Sequence, residues 1–252
     1  MPGWELINHK EKSALNNLFI KNRGILFAHG YDKIRNKYHV REFEKSIAHK
    51  FKSKHVLAVS SGTAALKIAF KAIGIQPGDE VLTPAFNFIA TVEAILDTGA
   101  KPIIVGVDET LNMCPLDLKK KISRKTKAII PVHMLGVPAD LKKILEISKK
   151  KKIKVISDNC ESMGAKINNK FINQFVDIEI FSLDFGKTIT CGEGGLILTN
   201  NDKIAKYCRE YHDHGHENKI TPRGIDTVSI AGFNYRMTEM QAVIGKEQLK
   251  KF

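Results

Sequence analysis

The chain has 252 residues, of which 43% are hydrophobic, and this suits the core of one large domain or two small ones. The sequence does not open with a basic segment followed by an apolar one, and no apolar run is long enough to cross a bilayer. We therefore expect a soluble, cytoplasmic protein with no membrane partner. The four cysteines are scattered, which is typical of free thiols in a reducing compartment and argues against disulfides and zinc sites.

The net charge of +13 raises the question of nucleic-acid binding. Clustered lysines bind phosphate backbones by releasing counterions. The densest run is 149–152, however, and it follows a helical pattern, where cations complement the helix dipole. Aromatic residues do not alternate with the basic ones as stacking platforms for bases would. We therefore expect an anionic small molecule as the ligand, and no nucleic acid.

Short apolar runs alternate with helical patterns along most of the chain. Two helices are expected first, at 11–19 and 40–51. Strands are expected at 55–59, 80–83, 102–105, 128–132 and 153–157, with helices between them at 63–73, 88–96, 116–122 and 139–150. This alternation predicts an α/β fold with a mostly parallel central sheet flanked by helices, and ligands gather beyond the carboxyl ends of such strands.

Two local patterns predict how segments turn and start. Asn168 and Asn169 lie between two short segments and are typical of a hairpin turn. Thr238 and Gln241 form a capping-box pattern that opens a helix. Because neither glycine nor proline follows, we expect this helix to run to Phe252.

Lys187 is the first candidate for chemistry. An apolar pair leads into Ser182, then come the turn-forming residues Asp184 and Gly186, and then the lysine. Desolvating an ammonium ion is costly, and a lysine presented from such a segment can act as a nucleophilic amine or form a Schiff base. A surface lysine is the default in a chain so rich in lysine, so this segment alone favours a reactive amine only modestly.

Ser61, Gly62 and Thr63 follow the strand at 55–59 and open a helix. Free backbone N–H groups and the helix dipole at such a place suit a phosphate, and the glycine permits close approach. A helix cap built from small residues explains the same pattern equally well.

Asp158 ends the strand at 153–157, and Glu161 follows three residues later. A carboxylate at that end of the sheet suits a cationic ring nitrogen or a metal ion, although an N-cap explains it too. No histidine or third acid nearby completes a ligand set, so we expect no metal.

Several other residues are open to two interpretations. His212, His214 and His216 alternate as metal ligands on a strand would, but Gly215 and the polar residues that follow favour a loop. Phe86 and Phe88 precede a helix and are, on composition alone, core residues. Asn234 is a polar residue in an otherwise packed segment and needs no role beyond a turn. The list of candidates therefore stays open at this point.

Five motifs stand in order along the chain: residues 61–66 (Ser-Gly-Thr-Ala-Ala-Leu), 83–91 (Thr-Pro-Ala-Phe-Asn-Phe-Ile-Ala-Thr), 124–133 (Arg-Lys-Thr-Lys-Ala-Ile-Ile-Pro-Val-His), 192–195 (Gly-Glu-Gly-Gly) and 232–239 (Gly-Phe-Asn-Tyr-Arg-Met-Thr-Glu). Together with Asp158, Ser182 and Lys187, this set resembles the DegT/DnrJ/StrS family of pyridoxal-phosphate-dependent sugar aminotransferases. The resemblance runs from Glu42 to the last residue. It implies the aspartate-aminotransferase-like fold (fold type I of pyridoxal-phosphate enzymes).

The resemblance also implies roles for individual residues. Lys187 would bind pyridoxal 5′-phosphate through its amine and later move a proton. Asp158 would pair with the ring nitrogen and keep it protonated, and Phe88 would stack on the ring. Glu161 would lie near the phenolic oxygen of the cofactor, where an ionised carboxylate would repel it, so we expect Glu161 to be protonated or turned toward substrate.

For the cofactor's phosphate, the resemblance implies the backbone amides of Gly62 and Thr63 with the hydroxyl of Ser182. Asn234 would reach the phosphate of a neighbouring subunit's cofactor, so we expect a homodimer with shared active sites. Three regions follow: an amino-terminal arm and helix at 1–40, a cofactor-binding large domain at 41–236, and at 237–252 the start of a helix toward a small domain. We expect that small domain to be absent, as in a fragment or a chain completed by a second polypeptide.

The implied activity is transfer of an amino group, with glutamate as the donor, to a keto sugar in cell-surface polysaccharide biosynthesis. The sugar would be an 8-keto-octulosonate or a nucleotide-linked keto-hexose. A sister branch of the family carries histidine in place of the lysine and dehydrates sugars, so Lys187 favours transamination. Two alternatives stay open: a catalytically silent chain that binds cofactor or ligand, and a dehydratase of the same fold.

Overall fold

The fold is described by a computed structural model over residues 3–31, 33–35, 37–217, 226, 228 and 230–252. These residues form the strands β1 (His55–Val59), β2 (Glu80–Pro84), β3 (Lys101–Val105), β4 (Thr126–Ile129), β5 (Lys154–Asp158), β6 (Lys166–Ile167), β7 (Lys170–Phe171), β8 (Ile178–Ser182) and β9 (Gly195–Thr199). The helices are α1 (His9–Lys21), α2 (His39–Phe51), α3 (Gly62–Ala72), α4 (Ile89–Asp97), α5 (Pro115–Lys121), α6 (Leu141–Lys151), α7 (Asp202–Tyr211) and α8 (Glu239–Leu249).

Seven strands form one sheet in the order β1-β9-β8-β5-β4-β2-β3. Strand β9 runs antiparallel to both of its neighbours, and the other neighbouring strands pair in parallel. The predicted mostly parallel α/β sheet is thus confirmed. Crossover helices between parallel strands explain why the chain alternates so regularly between the two types of element.

Helices cover both faces of the sheet, and successive side chains along a strand pack alternately against the two layers of helices. On β9, Ile197 packs on the side of α3, whereas Leu196 and Leu198 pack on the side of α2 and α8. Fully burying a side chain of this size contributes about 1.5–3 kcal/mol. Because little of the sheet apart from the edge strand β3 is exposed to solvent, most strands have continuous apolar sequences rather than alternating patterns.

Most predicted boundaries agree with the structure within about two residues, but β4 and α8 differ. Strand β4 ends at Ile129, and beyond Pro131 only a single bridge joins Val132 to Asp158. A proline supplies no N–H to a sheet. The expectation that α8 continues to Phe252 is wrong, because the helix ends at Leu249.

The end of α8 is a tight turn. Phe252 donates its backbone N–H to the carbonyl of Leu249, three residues back, at 3.3 Å, as in a 3₁₀ turn. The ring of Phe252 lies 6.1 Å from that of Phe51. This ring therefore packs against α2 where α8 ends. The sequence did not reveal the end of α8, because no glycine or proline marks it.

Two smaller predictions are confirmed. Asn168 and Asn169 join β6 to β7 with φ angles of 49° and 60°, the left-handed pair that a two-residue hairpin requires. Thr238 accepts the N–H of Gln241, whose side chain accepts the N–H of Thr238, so the capping box is complete. Among the described residues, no helix has the length and apolar character needed to span a membrane.

Candidate active site

A cavity of about 430 Å³ lies at the carboxyl ends of β1, β5 and β8. Seven of the eight predicted site residues line it: Gly62, Thr63, Phe88, Asp158, Glu161, Ser182 and Lys187. Residues from four separate parts of the chain thus converge on one place, which we call the lysine cavity. This is the edge of the sheet where ligands of α/β proteins bind.

Lys187 lies in the loop between β8 and β9. Asp184 shapes the start of this loop, since its carboxylate accepts the N–H of Gly186 at 3.1 Å and its carbonyl accepts the N–H of Lys187 at 3.0 Å. The Nζ atom of Lys187 lies 3.5 Å from Oε1 of Glu161, and both side chains are partly exposed to the cavity. The lysine is therefore neither an ordinary surface residue nor fully buried, and a carboxylate orients its amine.

The phosphate-binding pattern lies at the start of α3. The hydroxyl of Ser61 accepts the N–H of Ala64 at 3.0 Å and caps the helix. The N–H groups of Gly62 and Thr63, by contrast, have no acceptor in the described part of the chain. The capping interpretation is therefore confirmed. Free N–H groups at the positive end of a helix suit an anion, and the phosphate interpretation stays a prediction.

Ser182 explains why residue 62 is a glycine. A Cβ atom added to Gly62 would lie 2.9 Å from Cβ of Ser182, closer than real side chains come. The start of α3 and the end of β8 therefore approach closely, and the serine hydroxyl lies beside the free N–H groups. These groups form a polar cradle at one end of the lysine cavity.

Asp158 is the last residue of β5 and is only 4% exposed. Its Oδ2 atom accepts the hydroxyl of Thr91 at 2.9 Å, and its Oδ1 atom accepts the N–H of Cys160 at 3.1 Å. Two donors thus fix the carboxylate at the cavity wall. Burial, with the charge of Asp158 beside it, raises the pKa of the Cys160 thiol well above its usual value, so this cysteine stays a neutral thiol.

Sequence reasoning missed Thr91 as a partner of Asp158. It lies on α4 and is the final residue of the motif at 83–91, which was the one available signal. Its hydroxyl satisfies a carboxylate that would be costly to bury alone.

A chain of buried polar side chains runs behind β5 and was not foreseen either. His133 accepts the N–H of Ala139 at Nδ1, so its Nε2 carries the hydrogen and lies 2.6 Å from the hydroxyl of Ser157. The chain continues through Asn159 to Glu179. Burial lowers the pKa of His133 to about 3 and raises that of Glu179 to about 8, so both side chains are neutral near pH 7.

The interpretation of Phe86 and Phe88 as core residues is wrong. They are 40% and 68% exposed, because they lie in the loop that leads from β2 into α4 at the lysine cavity. Phe88 lines the cavity and can offer a ring face to a planar ligand. Phe88 thus lies at the cavity and Phe86 in the exposed loop, and neither side chain is in the core.

Asn234 lies apart from the other seven residues. It is exposed and does not line the lysine cavity, and its backbone pairs with that of Asp213. The structure therefore does not bring it to the site within one chain. Its proposed contact with the cofactor of a neighbouring subunit stays a prediction.

The three alternating histidines follow α7 in a turn, as expected. His212 caps the end of the helix, and burial lowers its pKa to about 4. His214 has a φ of 54° in the turn, and His216 lies 2.9 Å from a carboxylate oxygen of Asp226. No cluster of three or more potential metal ligands occurs in the described ranges, which leave out most of 218–229.

Family membership follows from comparison with known proteins. Residues 28–252 match the DegT/DnrJ/EryC1/StrS aminotransferase family. The chain belongs to this family. Among curated relatives, it is 39% identical over 214 residues to GDP-perosamine synthase of Escherichia coli O157:H7, covering 84% of this chain and 58% of the relative.

Solved structures of other proteins are similar to this chain. NtdA of Bacillus subtilis with bound cofactor PMP is 32% identical, with a TM-score of 0.86 over 99% of this chain and 55% of that one. GDP-4-keto-6-deoxymannose-3-dehydratase with a trapped PLP-glutamate geminal diamine is 28% identical, with a TM-score of 0.87 over 97% of this chain and 66% of that one. The chain thus spans a little over half the length of the curated relative described above.

Proposed function

We propose that this chain is the cofactor-binding part of a pyridoxal-phosphate-dependent sugar aminotransferase. The observation that carries the proposal is that Lys187, Asp158 and the cradle of Gly62, Thr63 and Ser182 lie in one cavity of about 430 Å³. This set supplies an amine, a carboxylate and an anion-binding helix start, and these groups fit pyridoxal 5′-phosphate. When bound, the cofactor supplies an aldehyde that reacts with amines and a ring that accepts electrons.

Each residue then has a chemical task. Lys187 gives its amine as the point of attachment and afterwards carries a proton to and from the substrate carbon. Asp158, fixed by Thr91 and the N–H of Cys160, offers its remaining lone pairs to a protonated ring nitrogen. Phe88 covers one ring face. The cradle of Gly62, Thr63 and Ser182 holds the phosphate.

Glu161 was expected to be protonated or turned toward substrate, and in the structure its carboxylate is turned toward Lys187. Its carboxylate lies 3.5 Å from Nζ, close enough to pair with that amine. Once the amine is attached to the cofactor, the carboxylate of Glu161, which is partly exposed to the cavity, no longer has this partner. We therefore assign it to the substrate rather than to the phenolic oxygen.

The proposed reaction is ping-pong transfer of an amino group from glutamate to a keto sugar used in a cell-surface polysaccharide such as lipopolysaccharide. The similarity to a GDP-perosamine synthase supports a nucleotide-linked keto-hexose, and 8-keto-octulosonate is the second candidate. The proposed compartment is the cytoplasm, where the four free cysteines stay reduced.

We further propose a homodimer with shared sites. Four carboxylates line the lysine cavity (Asp158, Glu161, Asp184 and Glu193), and Lys187 is the only cation among its lining residues in the described part of the chain. The cradle at the start of α3 attracts the phosphate, but the four carboxylates work against it and against a dicarboxylate substrate, so further hydrogen-bond donors have to come from outside the cavity. Asn234 of a second copy is one candidate.

The test is an absorption spectrum of the purified chain after addition of pyridoxal phosphate, followed by glutamate and a keto sugar. A Schiff-base band that Lys187→Ala abolishes, and that Lys143→Ala on the distant helix α6 leaves intact, supports the proposal. Glutamate should then convert the band to the pyridoxamine form. A band without this conversion favours the catalytically silent binding chain. Loss of water from the sugar without an amino product favours the dehydratase, an alternative that the similarity to a dehydratase structure supports.

A further inference from the structure

The amino-terminal residues Gly3–Leu6 form a single 3₁₀ turn that lies against the loop carrying Lys187. The N–H of Gly3 donates to the carbonyl oxygen of Lys187 itself at 2.6 Å. The Trp4 ring stacks on Phe185 of the same loop, with the ring centres 6.2 Å apart. We call these four residues the amino-terminal strap. They precede residues 28–252, over which the chain matches its family.

The strap approaches the loop as closely as a glycine allows. Gly3 is buried, and a Cβ atom added to it would lie 2.8 Å from the carbonyl oxygen of Thr188 and 3.0 Å from the amide nitrogen of Thr190. These are backbone atoms, which cannot turn aside as a flexible side chain can. Any other residue at position 3 therefore pushes the strap and the loop apart.

The strap is also held in place by contacts that involve α1 and the end of α8. Glu11 on α1 closes a capping box with Asn8, and its carboxylate accepts the side-chain amide of Gln248 at 2.8 Å. Lys251 donates to both Glu11 and the carbonyl of Leu6. The strap thus joins the end of α8 to the lysine loop, and none of the strap's own residues lines the lysine cavity.

We propose that the amino-terminal strap positions Lys187 for attachment to the cofactor. The inference rests on the function proposed above. The loop contains Gly186, Gly192 and Gly194, so its backbone has many conformations available. The bond from Gly3 fixes the peptide that follows Lys187, and with it the direction in which the amine leaves the main chain. Without that bond, fewer molecules present the amine to the aldehyde at any moment.

The experiment compares two ligands on four proteins. Pyridoxal phosphate condenses with the Lys187 amine, forming a C=N bond and releasing water, whereas pyridoxamine phosphate occupies the same place and forms no bond with the lysine. The proteins are the unaltered chain, Gly3→Ala, Trp4→Ala and the control Glu5→Ala. Glu5 lies in the same turn with an exposed side chain.

We expect Gly3→Ala and Trp4→Ala to slow formation of the Schiff-base band about tenfold or more, with unchanged affinity for pyridoxamine phosphate. Glu5→Ala should match the unaltered chain in both. Equal losses for the two ligands would mean a merely structural strap, and unchanged capture in both variants would mean no role; either result overturns the proposal. Trp4→Ala keeps the test valid if Gly3→Ala does not fold.

Amide hydrogen exchange of residues 183–191 separates this proposal from the function above. Faster exchange in Gly3→Ala and Trp4→Ala than in Glu5→Ala is expected even where no cofactor binds. If the unaltered chain captures no cofactor, the proposed function fails while exchange still reports on the strap. Equal exchange in all four proteins would overturn the strap's positioning role.

Discussion

The carboxylate of Asp158 is almost fully buried. The hydroxyl of Thr91 and the N–H of Cys160 donate hydrogen bonds to it and fix its orientation. Thr91→Val removes the hydroxyl and keeps the shape. We expect the half-reaction with glutamate to slow about tenfold, the equivalent of roughly 1.4 kcal/mol for a hydrogen bond to a charged group. Thr98→Val is the matched control, since Thr98 is a buried threonine near the other end of the same helix. Equal rates for the two variants would contradict the assignment.

Glu179 makes stability depend on pH in an unusual direction. Burial raises its pKa to about 8, so the folded state keeps a proton that the unfolded state loses above about pH 4.5. The wild-type protein should therefore lose stability as pH rises from 4.5 to 8. Glu179→Gln, which cannot ionise, should gain on the wild type over that range by up to about 4 kcal/mol. Urea unfolding at pH 5 and pH 8 measures this, and the exposed control Glu146→Gln should show no such gain.

The buried carboxylate of Glu11 joins helices α1 and α8, and its pKa is shifted in the opposite direction to that of Glu179. Burial alone would raise the pKa of Glu11, but hydrogen bonds from Lys251, the N–H of Asn8 and Gln248 outweigh it and lower the pKa to about 2. The stability that this group contributes is present above pH 4.5 and is lost as pH falls toward 2.

Glu11→Gln should lower the free energy of unfolding at pH 7 by about 2–3 kcal/mol, because it removes the charge that these donors stabilise. The difference from the wild type should shrink as pH falls from 4.5 toward 2, as urea unfolding at each pH would measure. Glu5→Gln on the exposed side of the strap is the control. A difference that stays constant down to pH 2 would argue against the assignment.

Prediction of the elements succeeded where periodicity and capping agreed. Strand β1 and the capping box of α8 lie where the sequence placed them, because their signals are local. Strands β8 and β9 and helix α7 were not predicted, although both strands are almost fully buried. A short strand that is buried on both faces shows no alternation of apolar and polar residues, whatever its direction, so its sequence alone does not mark it as a strand.

The assembled molecule exposes large apolar side chains beside the lysine cavity. Phe88, Ile89, Leu135 and Phe185 are each more than half exposed; Phe88 lines the cavity, and each of the other three is next in the chain to a lining residue. Such a group of side chains is typical of a surface that a partner covers. The homodimer proposed above gives this surface an occupant.

We therefore expect the chain to self-associate, and Leu135→Ser to raise the dimer dissociation constant about tenfold or more. Leu116→Ser on α5 is the control, because Leu116 is also highly exposed but does not neighbour the cavity. Sedimentation velocity over a range of concentrations measures both. A monodisperse monomer at every concentration would rule out the shared-site dimer.

The sequence by itself determined the fold class, and seven of the eight site residues predicted from it line the candidate site, because strand ends, helix starts and ordered motifs are local in the chain. Only the tertiary structure decided how these residues are held. Thr91 reaches Asp158 across 67 positions of sequence, and the strap at Gly3 reaches Lys187 across more than 180. Contacts between distant segments depend on the packing of whole elements, and a single sequence leaves no local pattern from which to infer them.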